Sequence, residues 1–285
     1  MSEERVRLGG MALGNGVLVH GPRFWACAVR GRDGTLEVAS GQKPLRAVDV
    51  RNPLLRGPAR LAEVFALLPE IRRRLPSAEL PFQRPGVAGA MVGSALGLRL
   101  VRASRLSPLT QEAVAAFLAV GPAAMALRGS NLAEYHGAEH IAIGTYEHGE
   151  DRAKEHERCG SHVLGPLLVT SAAGSLLASR APAQVRSLAR AAAGVGAIAA
   201  SLEIFSWMVR NDRHPLARAL AKPGHELQHR FVTAEPSPEQ LEVAEAALRE
   251  CLRLESPANG GEGETPLTHP PYSNGDSDKA AAPPT

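Results

Sequence analysis

The sequence predicts a mainly α protein: a polytopic membrane bundle of about four apolar helices, with a small β-containing N-terminal portion and a disordered C-terminal tail. Three observations predict it. The apolar residues concentrate in the middle of the chain, although the mean hydropathy of −0.11 is that of a soluble protein. Four central runs carry almost no charge and are filled with Gly, Ala and Ser, the small residues that let membrane helices approach closely. Aromatic residues make up only 4% of the chain, so Ala, Leu, Val and Gly must supply its apolar content.

Residues 1–57 are rich in Gly and Pro and hold the β portion. Within them "FWACAVRGRDGTLEVAS" (24–40) reads as a hairpin, two β-leaning runs around a four-residue loop from Gly31 to Gly34. Residues 58–84 hold an amphipathic helix and a linker. The helix, 58–75, ends in the basic cluster Arg72 to Arg74, a pattern suited to a membrane surface or to packing on a domain.

The helical bundle occupies residues 85–220, with a His-rich connecting segment at 131–162. Its charge-poor runs are 85–98, 113–127, 163–179 and 191–209, of 14, 15, 17 and 19 residues, each bracketed by charge or His. A full span takes roughly 17–25 apolar residues, so two runs are long enough and two are short. A soluble four-helix bundle is the alternative, and it sits less well with runs that show so little polar face. Arginines flank every run, with a slight excess that places both termini inside. Residues 221–255 form a soluble segment and helix: "SPEQLEVAEAALREC" (237–251) begins with a capping Ser, has Pro at the first helical position and Glu in the first turn. Residues 256–285 are rich in Pro, Gly, Ser, Asn and Asp and are expected to be disordered.

Composition removes several function classes. The net charge of +3 is mild, and no Arg/Lys patch is interleaved with aromatics, which argues against nucleic acid as a partner. The expected partner is the lipid bilayer, and the expected location is the cytoplasmic membrane as a multi-pass protein. Three widely spaced cysteines, Cys27, Cys159 and Cys251, argue against a disulfide framework and for a reducing compartment. The N-terminal "MSEERVRLGG" has no apolar run behind its charges, so no signal peptide is expected.

The chemistry concentrates in residues 134–162, which hold five of the ten histidines, seven of the 29 acidic residues and one cysteine. His136 and His140 are four apart, so on a helix their imidazoles leave one face about a turn apart and can bind a single metal ion. Glu139 lies beside them, and H-x-x-E-H is the reversed form of the zinc-protease helix motif. A third ligand is needed. Glu203 is the one charge inside the run 191–209, where a carboxylate is costly unless paired or metal-bound. His156 and Cys159 in "EHERCGSHV" (155–163) offer a rival set with His136 and His140. A closed set would be structural, and three ligands with an open position would be catalytic.

Here the residues resemble a known family. "YHGAEH" (135–140), followed by "HERCGSHVLG" (156–165), is similar to the "YHGAEH … HPRCGT" signature of the YqhQ-like family, bacterial polytopic membrane proteins described as predicted metal-dependent enzymes. "LGGMALGNGVLVHGPRFWACAVR" (8–30), "SLEIFSWMVRN" (201–211) and "KPGHELQHRFVTAEPSPEQLEVAEAAL" (222–248) resemble three further blocks of it. The resemblance implies a membrane location. It carries the family pattern onto Tyr135, His136, Gly137, Glu139, His140, His156, Arg158, Cys159, Gly160, Glu203 and Gln228. The chain departs from the pattern at Met11, Asn15, His20, Ile141 and Glu157.

The reading is a membrane enzyme, most simply a hydrolase of an amide or ester. It would use a divalent metal, zinc by donor type, with His136 and His140 as ligands and Glu203 or His156 as the third. Glu139 would act as general base, with Cys159, Tyr135, Arg158 and Gln228 as further site residues. The second reading is a non-enzymatic membrane scaffold holding a structural metal or a polar cluster.

Overall fold

In the computed structural model the described residues are 5–128 and 130–256. The N-terminal portion is a four-stranded antiparallel meander of order β1-β2-β3-β4, with β1 Gly9–Leu13, β2 Gly16–His20, β3 Phe24–Arg30 and β4 Leu36–Gln42. The anticipated hairpin is β3–β4, in register Arg30↔Leu36, so its loop is residues 31–35, one longer than expected. A second hairpin, β1–β2, precedes it and turns at Gly14-Asn15. Asn15 holds that turn: its Nδ2 donates to Arg30 O at 2.9 Å and Ser77 O at 3.0 Å, and its Oδ1 accepts Glu79 N–H at 2.9 Å.

The sheet is covered on both faces, which explains why β3 reads as continuous apolar sequence rather than as an alternation. One face presents Val17, Val19, Ala26 and Ala28 to helix α4 (Leu132–His148) and helix α8 (Pro238–Glu255). The other presents Leu13, Leu18, Trp25, Cys27 and Val29 to Leu67, Leu68 and Ile71 of helix α1 (Pro53–Arg74) and to Leu75. Helix α8 starts as its sequence predicts, with Ser237 and Gln240 forming a capping box and Pro238 at the first position. At its other end Glu255 accepts the backbone N–H groups of Arg23 (2.7 Å) and Phe24 (2.8 Å), locking α8 to the sheet.

The four apolar runs are all helices: α2 (Pro85–Ala103), α3 (Pro108–Leu127), α5 (Leu164–Ser179, preceded by a 3₁₀ turn from Gly160) and α6 (Arg186–Arg210). They form two hairpins, α2–α3 and α5–α6. Small residues bring the backbones together: Ser94 Oγ donates to Leu118 O at 2.7 Å, and Thr170 Oγ1 to Ala197 O at 3.0 Å. Among the described residues three helices are long and apolar enough to cross a membrane: α2, α5 with its leading turn, and α6. A fourth span results if 113–127 and α4, bent by 91° at their junction, are taken as one. However, α4 buries Tyr135, Ala138, Ala142 and Ile143 against the sheet, so it belongs to the sheet layer.

Helix α7 (Pro215–Leu227) and the π-helical turn Gln228–Val232 complete the fold between α6 and α8. The tail expected to be disordered, apart from Ser256, and the first four residues lie outside the described residues.

Candidate metal centre

The segment "EYHGAEH" lies in the first half of α4, which starts directly after the α2–α3 hairpin. His136 and His140 leave the same side of the helix, with ring centroids 4.3 Å apart and planes tilted by 60°. Each ring is oriented by a backbone carbonyl: His136 Nδ1–H donates to Val232 O at 2.9 Å, and His140 Nδ1–H to Lys154 O at 2.5 Å. A carbonyl can only accept, so both rings are held as the Nδ1–H tautomer, which leaves a lone pair on each Nε2.

Cys159 completes the group. Its Sγ lies 3.5 Å from His136 Nε2, and one donor atom from each of His136, His140 and Cys159 falls within 4.8 Å of the others. Zinc bonds of about 2.0 Å to nitrogen and 2.3 Å to sulfur, at a tetrahedral angle, place the two donors about 3.5 Å apart. The His136–Cys159 separation fits that value. Carbonyl-oriented imidazoles are also what metal-ligating histidines generally show. Burial, followed by the charge of His136, holds the His140 pKa down at about 3, so its lone pair is available at neutral pH. Burial pushes the Cys159 thiol up.

Glu139 points between α4 and β1, and it is almost fully buried. Its Oε2 has no hydrogen-bond partner among the described residues. The backbone of β1 closes over the carboxyl so tightly that a Cβ on Gly10 would come within 2.3 Å of Oε1. Burial raises its pKa to about 7, opposed by His136 and reinforced by Cys159, which places both of those groups beside it. Gly137 answers a second close approach: a Cβ there would meet Ala234 O at 2.1 Å. Its absence lets the chain after Val232 run against α4, where Ala234 N–H donates to Ala133 O at 2.9 Å.

The other expected site residues divide. His156 lies near His140, with centroids 5.5 Å apart, but both of its nitrogens are engaged: Nε2–H with Glu147 Oε2 at 3.1 Å, and Nδ1 as acceptor of Arg158 N–H at 3.3 Å. Arg158 also pairs with Glu147. Gln228 is fully buried and ties the 156–162 segment together through His156, Ser161 and His162. Tyr135 is packed in the core between sheet and helices rather than in the cluster.

Glu203, expected as a third ligand, is not brought to the cluster. Its carboxylate is taken by the Arg56 guanidinium: Nε donates to Oε1 at 2.7 Å, and Nη2 pairs with Oε2. The partner was hidden from the sequence because Arg56 is 147 residues away. Sequence reasoning also missed Glu147, which shows no motif, and the two orienting carbonyls, which no side-chain pattern encodes.

The comparisons bear on residues 129–254, which match the family model described as a protein of unknown function, DUF1385. The uncharacterized protein YqhQ of Bacillus subtilis (strain 168) is 31% identical over 131 residues, 43% of this chain. The chain spans about two-fifths of the length of that relative, 41%. No solved structure matches. The matched segment runs from the start of α4 almost to the end of α8 and contains every donor of the cluster. Residues 129–254 are thus similar to the YqhQ-like DUF1385 family, a family of unknown function.

Proposed function

We propose that this protein is a metal-dependent membrane hydrolase with zinc held by His136, His140 and Cys159. One observation carries the reading: two carbonyl-oriented imidazoles and a thiol converge within 4.8 Å, beside a buried carboxyl of which one oxygen has no hydrogen-bond partner among the described residues. Three protein ligands leave a tetrahedral ion one open position, as in catalytic rather than structural sites. A bound zinc would supply Lewis-acid activation of water or of a substrate carbonyl. Glu139 would take up a proton on Oε2, which has no partner among the described residues, and the cover of β1 over it keeps bulk water away. Val232 and Lys154 hold the two imidazoles in the ligating tautomer.

The membrane part of the proposal rests on α2, α5 and α6, whose length and composition suit a bilayer. Their outward faces expose large apolar residues: Leu100 is 73% exposed, Leu177 66% and Val195 69%. In a bilayer, the cluster sits where the hairpins meet the sheet layer, within reach of an ester or amide at the membrane face.

A scaffold with a structural metal is the second reading, and one observation favours it. His140 is buried, and Glu139 lies beneath the backbone of β1, which restricts access to the cluster. Elemental mass spectrometry on untagged protein from the membrane fraction tests the metal. Wild type should hold a stoichiometric divalent ion that the His136→Ala/His140→Ala variant lacks. Wild type without metal, never having met a chelator, would overturn both readings. Cobalt substitution then separates them: visible absorption that shifts on adding a small anion shows an open position, and a spectrum that stays fixed shows a closed structural site.

A further inference from the structure

We propose that α1 is an interfacial helix whose outer face lies in the headgroup boundary of the bilayer that α6 crosses. This rests on the membrane reading above and goes beyond it, since α1 lies outside every apolar run. An amphipathic helix at a protein surface buries one apolar face, and α1 has two. Its inner face, Leu67, Leu68 and Ile71, is buried against the sheet. Its outer face presents Leu55 at 58% exposure, Leu61 at 48% and Phe65 at 56%. At 100° per residue these three fall within one arc of about 120°, which adjoins the arc of about 100° that carries Leu67, Leu68 and Ile71. Large apolar groups aligned on one helix face mark an interaction surface, unlike singly scattered ones.

The occupant follows from where α1 is attached. Arg56 clasps Glu203 of α6, and Gly57 lies against Leu202. Glu203 is seven residues before the C-terminal end of α6 at Arg210, about 10 Å along the axis at 1.5 Å per residue. An interfacial helix buries its apolar face about 5–10 Å into the headgroup and acyl boundary, so the clasp sets α1 at about that depth. Cations lie on the same arc: Arg72 and Arg73 are exposed at the far end. Such groups reach anionic headgroups from an interfacial helix. The ion pair also gives Glu203 its place, since a carboxylate within an apolar helix needs a partner and Arg56 brings α1 to it.

The test is spin-label accessibility on the full chain, reconstituted in vesicles of phosphatidylcholine and phosphatidylglycerol. Cys159 is replaced by Ser, while Cys27 and Cys251 are buried and stay. Nitroxides are attached at Leu61→Cys and Phe65→Cys, with Val195→Cys on α6 as the lipid reference and Asp33→Cys in the β3–β4 loop as the water reference. Labels at 61 and 65 should follow Val195, relaxed by oxygen in preference to a nickel chelate. Labels that follow Asp33 would put the face in water and overturn the proposal. Labels shielded from both reagents would mean cover by protein, a second copy or a partner, and would overturn it equally. A Val195 label that is open to the nickel chelate would sink the membrane reading itself, which separates that failure from this one.

Discussion

Replacing Gln228 with methionine should loosen the segment that carries Cys159 while leaving the volume of the core nearly unchanged. Gln228 is fully buried. Its oxygen accepts the His156 N–H at 2.9 Å, and its nitrogen faces His156 O at 3.3 Å, Ser161 Oγ at 2.7 Å and His162 Nδ1 at 3.1 Å. An amide nitrogen carries two hydrogens, so it serves two of those three acceptors at a time. Methionine removes all of these bonds and strands the His156 N–H, at about 1–3 kcal/mol, with about 0.5–1.5 kcal/mol for each lost donation. Apolar burial of the methionine offsets part of this, leaving a net loss of about 2–4 kcal/mol. For a chain of this size 1 kcal/mol moves the melting temperature by about 2–4 °C, so a fall of about 5–12 °C is expected. The assay is thermal unfolding of the full chain in detergent, followed by circular dichroism, with the rate of thiol labelling at Cys159 as a local readout. Gln228→Glu keeps the acceptor for His156 N–H and should fall between the two. A shift under about 2 °C, with Cys159 labelled at the wild-type rate, would show that the amide does not hold this segment.

Four further outcomes are expected. Glu139→Gln should retain the metal and lower turnover of a hydrolysable ester or peptide by about 10²–10⁴-fold; full turnover in the variant would remove Glu139 from the chemistry. Burial, then Lys43 with its Nζ 3.5 Å from Nδ1, holds the His20 pKa at about 4, below the ordinary 6.5. The folded state therefore resists protonation, and stability present above pH 6.5 declines as pH falls toward 4, by about 2–3 kcal/mol at pH 4.5. His140 acts with the same sign, so the measurement is the difference: wild type should lose more melting temperature between pH 7 and 4.5 than His20→Gln, and equal losses would refute it. Lys43→Met leaves Glu63, its buried partner at 2.9 Å, charged with only the Ala47 N–H to donate to it, and should cost about 3–5 kcal/mol, whereas Lys43→Met/Glu63→Gln, which keeps an acceptor for that N–H, should recover most of that in denaturant titration. Gly137→Ala should push the Ala234 carbonyl away and with it Val232 O, weakening zinc retention against a chelator by about 10–100-fold.

Legibility followed the range of the interaction. The four apolar runs, the β3–β4 hairpin and α8 with its cap were readable because each is set by residues within a few positions of one another. Helix α7 was not, since Pro223-Gly224 reads as a break, yet both residues lie inside the helix. The β1–β2 hairpin was obscured in the same way by its glycines. In the site, the i, i+4 histidines and Glu139 were visible as a motif, and Cys159 was visible as one of several rivals. The choice among Glu203, His156 and Cys159 depends on partners 9 to 147 residues away: Glu147 for His156 and Arg56 for Glu203. A pattern reader sees that a buried carboxylate needs a partner, but it cannot see which cation the fold delivers.

The topology explains why the donors converge where they do. Two apolar hairpins are inserted into a layered sheet domain, and each chain segment at their junction with that domain supplies one part of the centre. The chain leaving α3 becomes α4 with His136 and His140. The chain entering α5 brings Cys159, and the chain leaving α6 by way of α7 brings Gln228 and the Val232 carbonyl. The spacing of donors is therefore set by how the hairpins sit against the sheet, and the 3.5 Å between Cys159 Sγ and His136 Nε2 depends on contacts made by both. A bound ion would in turn join the segment after the first hairpin to the segment before the second, so that metal binding and hairpin packing become one linked equilibrium.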